Sequence, residues 1–157
     1  MEPILNSDFR DMLCLLNEEK VEYLLVGGWA VSFHAHFRVT EDIDLWIRPT
    51  PENAQRVIRA LMKFGAPMDG MDIEDFAKPR YGLHIGVPPA RIDLLTTLEG
   101  VSFEQAWASR LTDELSGIPI QVIGREELLK NKAVVGRAKD LADIESIEGA
   151  KRRREAD

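Results

Sequence analysis

Short apolar runs alternate along this chain with segments in which apolar residues recur every three or four positions. Runs of four to eight apolar and β-branched residues bounded by glycine or proline are typical of buried strands, and the three-to-four spacing is typical of amphipathic helices. The predicted strands cover 21–26, 43–47, 81–87, 91–96 and 118–123. The predicted helices cover 8–18, 29–36, 51–64, 103–109, 124–135 and 138–147.

This order of elements predicts the α/β (α+β) class, with a mixed sheet of about five strands flanked by helices. Strict alternation is broken because 81–87 and 91–96 are predicted to form a hairpin across Pro88 and Pro89. Ser7 is the predicted N-cap of the first helix, and Thr50 is the predicted N-cap of the third helix. That third helix is expected to end at Gly65.

The size and composition are those of one compact domain. The chain has 157 residues, and no apolar run approaches the roughly 18 residues that a membrane span needs. The start of the sequence lacks a signal-peptide pattern, so a cytoplasmic location is expected. Cys14 is the only cysteine, which excludes an internal disulfide, and a buried inert thiol is predicted for it.

The formal net charge of −7 changes the range of expected partners. An acidic surface repels nucleic-acid backbones, so bulk nucleic-acid binding is not expected. The basic run 151–154 lies in a segment, 149–157, that is predicted to be a disordered tail after a single domain over 1–148. An arm for RNA or for an acidic partner is the alternative interpretation of that run.

Three carboxylates stand within predicted apolar strands. Asp42 and Asp44 are two positions apart, so their side chains project from the same face, while Ile43 and Leu45 project into the core. Asp93 is likewise flanked by apolar residues in a later strand. Burying carboxylates is costly unless a cation neutralises them, and Mg²⁺ (or Mn²⁺) prefers such oxygen ligands. Taken alone, Asp93 could instead pair with Arg91.

A glycine pair ends the first predicted strand and begins the next helix. Gly27 and Gly28 let the backbone approach a ligand closely, and the N–H groups of the helix start favour an anion. No Gly-Lys-Ser/Thr follows and no third glycine stands at the right spacing, so neither a P-loop nor a dinucleotide fingerprint is present. A phosphate-binding turn beside a metal site is predicted.

In these features the chain resembles the nucleotidyltransferase superfamily, which shares its fold with the palm of DNA polymerase β. The family pattern is a Gly-Gly turn, then D-x-D, then a third aspartate on a later strand. The likeness is greater to a small bacterial branch that includes AbiEii-type toxin enzymes. That branch carries R-x-T-x-D-I-D-L, R-I-D-L-L-T and K-x-x-x-x-R-x-K-D-x-x-D, found here at 38–45, 91–96 and 132–143.

The resemblance implies transfer of a nucleoside monophosphate from an NTP to an acceptor hydroxyl, with C-terminal helices completing the nucleotidyltransferase fold. It implies that the catalytic and metal-binding residues are Asp42, Asp44 and Asp93. The nucleotide-binding residues would be Gly27, Gly28, Arg38, Thr40, Lys132 and Lys139. The acceptor stays open among a small molecule such as an antibiotic, an RNA end and a protein, and so do a homodimer and an antitoxin partner.

One departure from the family pattern affects the phosphate contact. Trp29 stands where family members often have serine, so the serine hydroxyl is absent, and Trp29 is expected in the core or stacked on a base. His84 lies in the hairpin, where a structural role is favoured over catalysis. A non-catalytic nucleotide-binding or interaction module on the same fold is the alternative function, although none of the three aspartates is lost.

Overall fold

The computed structural model describes residues 5–35 and 42–156, and these form one mixed six-stranded sheet with helices packed on it. The helices are α1 (Ser7–Glu18), α2 (Gly27–His34), α3 (Pro51–Phe64), α4 (Phe103–Ala108), α5 (Arg125–Val135) and α6 (Ala138–Ala156). The strands are β1 (Tyr23–Val26), β2 (Ile43–Ile47), β3 (Gly82–Ile85), β4 (Ile92–Leu95), β5 (Leu111–Leu115) and β6 (Ile118–Val122). A 3₁₀ helix covers Ile73–Ala77.

The sheet order is β3-β4-β2-β1-β6-β5, which leaves β3 and β5 as the two edges. Strand β2 runs antiparallel to β1 and parallel to β4, and β6 runs parallel to β1. The two hairpins, β3–β4 and β5–β6, close the sheet at either side. The predicted fold class is therefore confirmed, with six strands in place of about five.

The central strands are largely buried because helices cover them. All four residues of β1 are buried, and so are the core positions Ile43, Leu45 and Ile47 of β2. Helix α1 packs against α3 and β6, whereas α5 and α6 pack on each other and on α2. Burial of these aliphatic side chains is the main stabilising contribution to the fold.

The predicted limits of α3 are confirmed. Thr50 accepts a hydrogen bond from the backbone N–H of Asn53, Pro51 takes the first helical position, and Gly65 ends the helix with a φ of 86°. In α1 the cap is Asn6 rather than the predicted Ser7, because the Asn6 side chain accepts the N–H of Asp8 at 2.8 Å. Ser7 is the first residue of the helix.

Cys14 is exposed, so the prediction of a buried thiol is wrong. The buried positions of α1 are Phe9, Met12, Leu13 and Leu16, a spacing of three and four that places Cys14 on the opposite side of the helix. Its apolar neighbours in sequence suggested burial, but helical geometry distributes neighbours to different faces.

Strand β5 was not predicted, and α6 is longer than predicted. Four of the five β5 residues are exposed, so the segment carries no apolar alternation. Helix α6 continues past Ile147 through the basic run to Ala156, where a disordered tail was expected. Buried Ala150, the Lys151–Glu155 ion pair and positive charge near the helix C-terminus all favour the extension.

The structure contains no helix of sufficient length and apolar character to cross a membrane within 5–35 and 42–156.

Candidate active site

Two of the three predicted aspartates meet through the register of β2 and β4. Asp44 is the direct partner of Asp93 in this parallel pair, and the two carboxyl groups are close enough for each to affect the other's charge. Asp93 is only 7% exposed. The row continues across the sheet, because Asp44 is paired with Val26 in β1 and Asp93 is paired with His84 in β3. Four strands thus place four positions on one face.

Asp42 lies beside this pair and is held by the backbone. Its Oδ1 atom accepts a hydrogen bond from the Arg91 N–H at 3.0 Å, and its Oδ2 atom lies 3.8 Å from the Arg91 guanidinium. The bond ties the start of β2 to the start of β4. Within the described part of the chain, no three acidic, histidine or cysteine side chains are arranged as a ready-made metal site.

Arg91 and His84 are contacts of Asp93 that the sequence analysis did not place in the site. Arg91 Nε lies 2.8 Å from Asp93 Oδ1, and Arg91 donates from its terminal nitrogen to Asp93 Oδ2 at 3.2 Å. His84 Nδ1 lies 2.5 Å from Asp93 Oδ1. The alternative pairing of Asp93 with Arg91 is therefore present together with the carboxyl pair.

The clustering of acids changes the proton affinity of Asp44. Burial, the charge of Asp93, the hydrogen bond to Asp93 and the charge of Asp42 raise the pKa of Asp44 from its ordinary value to about 6, although Arg91 lowers it. Three carboxylates therefore lie near one guanidinium. This donor set has excess negative charge and hard oxygen ligands, so its chemistry fits a divalent cation at Asp44 and Asp93.

The glycine turn touches the acid pair directly. Gly27 has a φ of +66°, and a Cβ built on it would overlap Asp44 Oδ2 and lie 3.0 Å from Asp44 Cγ. Only glycine satisfies both the backbone conformation and this close approach. Helix α2 starts here without a side-chain cap, so no capping side chain occupies the N–H groups of its first turn.

Trp29 points away from the turn and into the core. It is 6% exposed, and its ring packs edge-on against Phe9 with ring centroids 6.4 Å apart. Trp29 therefore occupies a core position, and the suggestion that it stacks on a base is wrong. The first turn of α2 has backbone donors but no hydroxyl at this position.

A cleft of about 300 Å³ opens beside the pair. Its lining residues include Gly27, Asp44, Leu98, Asn131, Lys132 and Arg137. Lys132 is nearly buried, with Nζ 3.3 Å from Asp140 Oδ1 and 3.0 Å from Asp143 Oδ2. Lys139 is exposed and is not among the described residues that line the cleft.

Asp140 organises the cationic wall. Its Oδ2 atom accepts hydrogen bonds from the backbone N–H and from Nε of Arg137, at 3.1 and 2.7 Å. The hydrogen bond from Arg137, then that from Lys132, lowers the pKa of Asp140 from its ordinary value to about 2 despite burial. Arg137 lines the cleft, although it was not among the nucleotide-binding residues expected from the sequence. The K-x-x-x-x-R-x-K-D-x-x-D spacing was the signal for this cluster.

Arg38 and Thr40 lie outside the described residues, as does Glu41 between Thr40 and Asp42. Gly28 follows Gly27 in the first turn of α2, and its carbonyl accepts a hydrogen bond from the Ser32 hydroxyl at 3.2 Å. Of the predicted nucleotide-binding residues that are described, Gly27 and Lys132 thus lie together at the cleft.

The fold is that of nucleotidyltransferase structures. No family model matches the sequence, and no curated protein matches it. Solved structures do match, at identities of 16–20%. Identities in this range establish a shared fold, so the predicted nucleotidyltransferase fold is confirmed.

Three of these structures illustrate the likeness. ANT(2'')-Ia, an antibiotic-resistance factor crystallised with adenylyl-2''-tobramycin, has a TM-score of 0.60 at 16% identity, over 90% of this chain and 86% of its own. The lincosamide antibiotic adenylyltransferase LnuA, bound to lincomycin, has a TM-score of 0.57 at 20% identity, over 92% and 97%. A nucleotidyltransferase-like protein from Paracoccidioides brasiliensis has a TM-score of 0.52 at 16% identity, over 89% and 72%.

Proposed function

We propose that this protein is a metal-dependent nucleotidyltransferase, which moves a nucleoside monophosphate from an NTP to an acceptor hydroxyl and releases pyrophosphate. The observation that carries the proposal is the Asp44–Asp93 pair, in which Asp44 lies against Gly27 and lines a cleft whose walls include Lys132 and Arg137. Carboxylates and cations in one cleft match the two needs of phosphoryl chemistry, metal ligation and phosphate neutralisation.

Each part of the cleft has a task that follows from its chemistry. The N–H groups of the first turn of α2 would donate to phosphate oxygens, since no side chain caps them. Arg137 is the more exposed cation and would contact the nucleotide, whereas buried Lys132 would hold the α5–α6 wall in place through Asp140. Asp93 would accept the proton of the acceptor hydroxyl.

Asp44 and Asp93, with Asp42 beside them, would hold Mg²⁺ or Mn²⁺. When bound, the metal would neutralise charge on the phosphate oxygens as a Lewis acid. The support is the charge balance of the site, in which three carboxylates lie near Arg91 and the pKa of Asp44 is raised to about 6.

Incubation of the protein with each α-labelled NTP and a cell extract tests the proposal. Label should move to an acceptor only when Mg²⁺ or Mn²⁺ is present. Asp44→Asn should lower the rate by about two orders of magnitude or more, because a charged ligand is lost from the reacting centre. Asp113→Asn, which removes an exposed carboxylate from β5, is the matched control. Undiminished transfer by Asp44→Asn would overturn the proposal.

A second candidate is a nucleotide-binding module without catalysis. It is favoured by the Arg91 guanidinium, which already pairs with Asp93, and by the replacement of a hydroxyl residue by buried Trp29. Calorimetry with ATP, GTP, CTP and UTP, with and without Mg²⁺, separates the two. Metal-dependent NTP binding with no labelled product from any acceptor pool would support the module.

Two biological roles are compatible with the proposed activity. One is an AbiEii-like toxin that is paired with an antitoxin, and it is supported by the R-x-T-x-D-I-D-L pattern. The other is an antibiotic-modifying enzyme, and it is supported by the likeness to ANT(2'')-Ia and LnuA. A homodimer could complete the cleft. Growth arrest on expression, relieved by a neighbouring gene product, would support the toxin, and drug resistance would support antibiotic modification.

A further inference from the structure

The last turns of α6 carry a basic surface that the proposed function does not use. Residues 151–154, which read Lys-Arg-Arg-Arg, are all exposed within this helix. The helix begins at Ala138, close to the cleft wall that contains Asp140, and it ends at Ala156. At the helical rise of 1.5 Å per residue, the basic residues lie about 20 Å along the helix from Asp140.

Two guanidinium groups of this surface converge over Gly149. A Cβ built on this glycine would lie 3.4 Å from Arg153 Nη1 and 3.8 Å from Arg152 Nη2. Both groups therefore lie above the same uncovered point of the helix surface. Glycine is less favourable than alanine within a helix, so this opening reduces the stability of α6.

The converging guanidinium groups lack an acidic partner. Arg152, Arg153 and Arg154 form no ion pair with any residue in 5–35 or 42–156, whereas Lys151 pairs with Glu155 at 3.7 Å. The helix dipole favours positive charge in this turn, but it does not explain why two like charges lie over one point, where they repel each other. The pair of guanidinium groups is arranged as a fork that is open to an anion.

Positive charge continues from α6 to the start of α5. Burial lowers the pKa of His34, and the charges of Arg154 and Arg125 lower it further, although its hydrogen bond to Ile123 raises it. The guanidinium groups of α5 and α6 are therefore both close enough to influence one imidazole at the end of α2. Because Arg125 is paired with Glu126, the unpaired cations are those of α6. Arg152, Arg153 and Arg154 are called the α6 basic surface below.

The surroundings of the α6 basic surface restrict its partner. The chain has a formal net charge of −7, and Glu145, Glu148 and Glu155 are exposed on the same helix. A nucleic acid or an anionic membrane would bring further negative charges against these glutamates, and nucleic-acid affinity depends on the number of phosphates that are neutralised. A short acidic peptide segment can instead place its carboxylates on the guanidinium groups alone, and arginine binds a carboxylate with two parallel hydrogen bonds.

We propose that the α6 basic surface is a docking site for a short acidic segment of a partner protein, whose carboxylates bind between Arg152 and Arg153 over Gly149. This contact goes beyond the proposed nucleotidyl transfer and does not depend on it. Since the interacting charges are exposed, the affinity should decrease as the salt concentration rises.

Fluorescence anisotropy of the full chain with labelled octaglutamate tests the proposal, at about 50 mM and about 300 mM salt. Octaglutamine, an RNA octamer and phosphatidylserine-containing vesicles are the comparison probes. Octaglutamate should bind most tightly, and the double variant Arg152→Gln/Arg153→Gln should raise its Kd roughly tenfold. Lys20→Gln/Lys130→Gln is the matched control, because it removes two exposed cations that form no ion pair with the described residues. It should keep the wild-type Kd.

Gly149→Glu gives a second test that loss of folding cannot imitate. It supplies a carboxylate at the position where the partner's carboxylate would lie, four residues before Arg153. This variant should have a Tm at or above that of the wild type and should not bind octaglutamate. The inference would be overturned if octaglutamate did not bind, if octaglutamine, RNA or the vesicles bound as tightly, or if either double variant had the same Kd as the other. Octaglutamate binding that persists in Gly149→Glu would also overturn it.

Discussion

Gly27 is the residue at which backbone conformation and site chemistry depend on each other. Its φ of +66° turns the chain from β1 into α2, and the absence of a side chain lets Asp44 approach the turn. A residue with a Cβ would have to displace the carboxylate or distort the turn. The sequence could suggest this position because a glycine pair stands between an apolar strand and a helix.

Gly27→Ala is expected to lose activity as well as stability. The positive φ alone costs about 1–2 kcal/mol for a residue with a Cβ, and the overlap with Asp44 Oδ2 adds to it. Gly117→Ala is the matched control, since Gly117 has a φ of +80° and no described atom within 4 Å of an added Cβ. Urea unfolding and labelled transfer are the measurements. Equal activity loss in the two variants would contradict the role of close approach.

At the residue scale, the period of two predicted part of the site and not all of it. Strand alternation placed Asp42 and Asp44 on one face, and the apolar flanks of Asp93 marked a second strand. Two further contacts depend on the register of three strands. They are the hydrogen bond from the Arg91 N–H to Asp42 and the contact of His84 with Asp93. Register across non-adjacent strands is a tertiary property that one sequence does not determine.

At the scale of elements, amphipathic segments were predictable and weakly patterned ones were not. Helix α3 has its cap, first-turn proline and final glycine in the sequence, so its limits followed from local chemistry. Strand β5 exposes Leu111, Thr112, Asp113 and Glu114, and it forms because it pairs with apolar β6 through a turn at Ser116 and Gly117. Strand β5 is therefore stabilised by its pairing with β6, which the periodicity of its own residues does not predict.

The α5–α6 junction depends on one buried carboxylate. Asp140→Asn leaves Lys132 with one carboxylate fewer and weakens the Arg137 contacts, so the free energy of unfolding should fall by about 2–4 kcal/mol. Glu148→Gln, an exposed change on the same helix, should alter it by less than about 0.5 kcal/mol. Urea unfolding at pH 7 measures both. Equal midpoints would show that the junction does not depend on this charge.

The stability difference between the wild type and Asp140→Asn should depend on pH, because the pKa of Asp140 is lowered in the folded wild-type protein. The folded-state pKa is about 2, below the ordinary value near 4, so the ionised form stabilises the folded state above about pH 4. That contribution is lost as the pH falls from about 4 towards 2. The difference in the free energy of unfolding between the wild type and Asp140→Asn should therefore become smaller as the pH falls through this range.

For the whole molecule, the ionised acid pair that the proposed activity needs lowers the stability of the folded state. The pKa of Asp44 is raised to about 6, above its value in the unfolded chain, so the folded state binds more protons between about pH 4 and 6. The contribution of Asp44 to stability therefore falls as the pH rises through that window. Sites that concentrate charge for function commonly reduce stability in this way.

A divalent cation should relieve this conflict, and the relief should depend on pH. At pH 7.5 Asp44 is ionised, so Mg²⁺ binds without displacing a proton and raises Tm, whereas at pH 5 it must compete with the proton. Asp44→Asn should be more stable than the metal-free wild type at pH 7.5, by on the order of 1–2 kcal/mol, and its Tm should not respond to Mg²⁺. Near pH 4 the two proteins should unfold alike. Scanning calorimetry across this pH range, with and without Mg²⁺, is the measurement. An Mg²⁺-induced rise in Tm that is as large at pH 5 as at pH 7.5, or that persists in Asp44→Asn, would place the bound cation somewhere other than the Asp44–Asp93 pair.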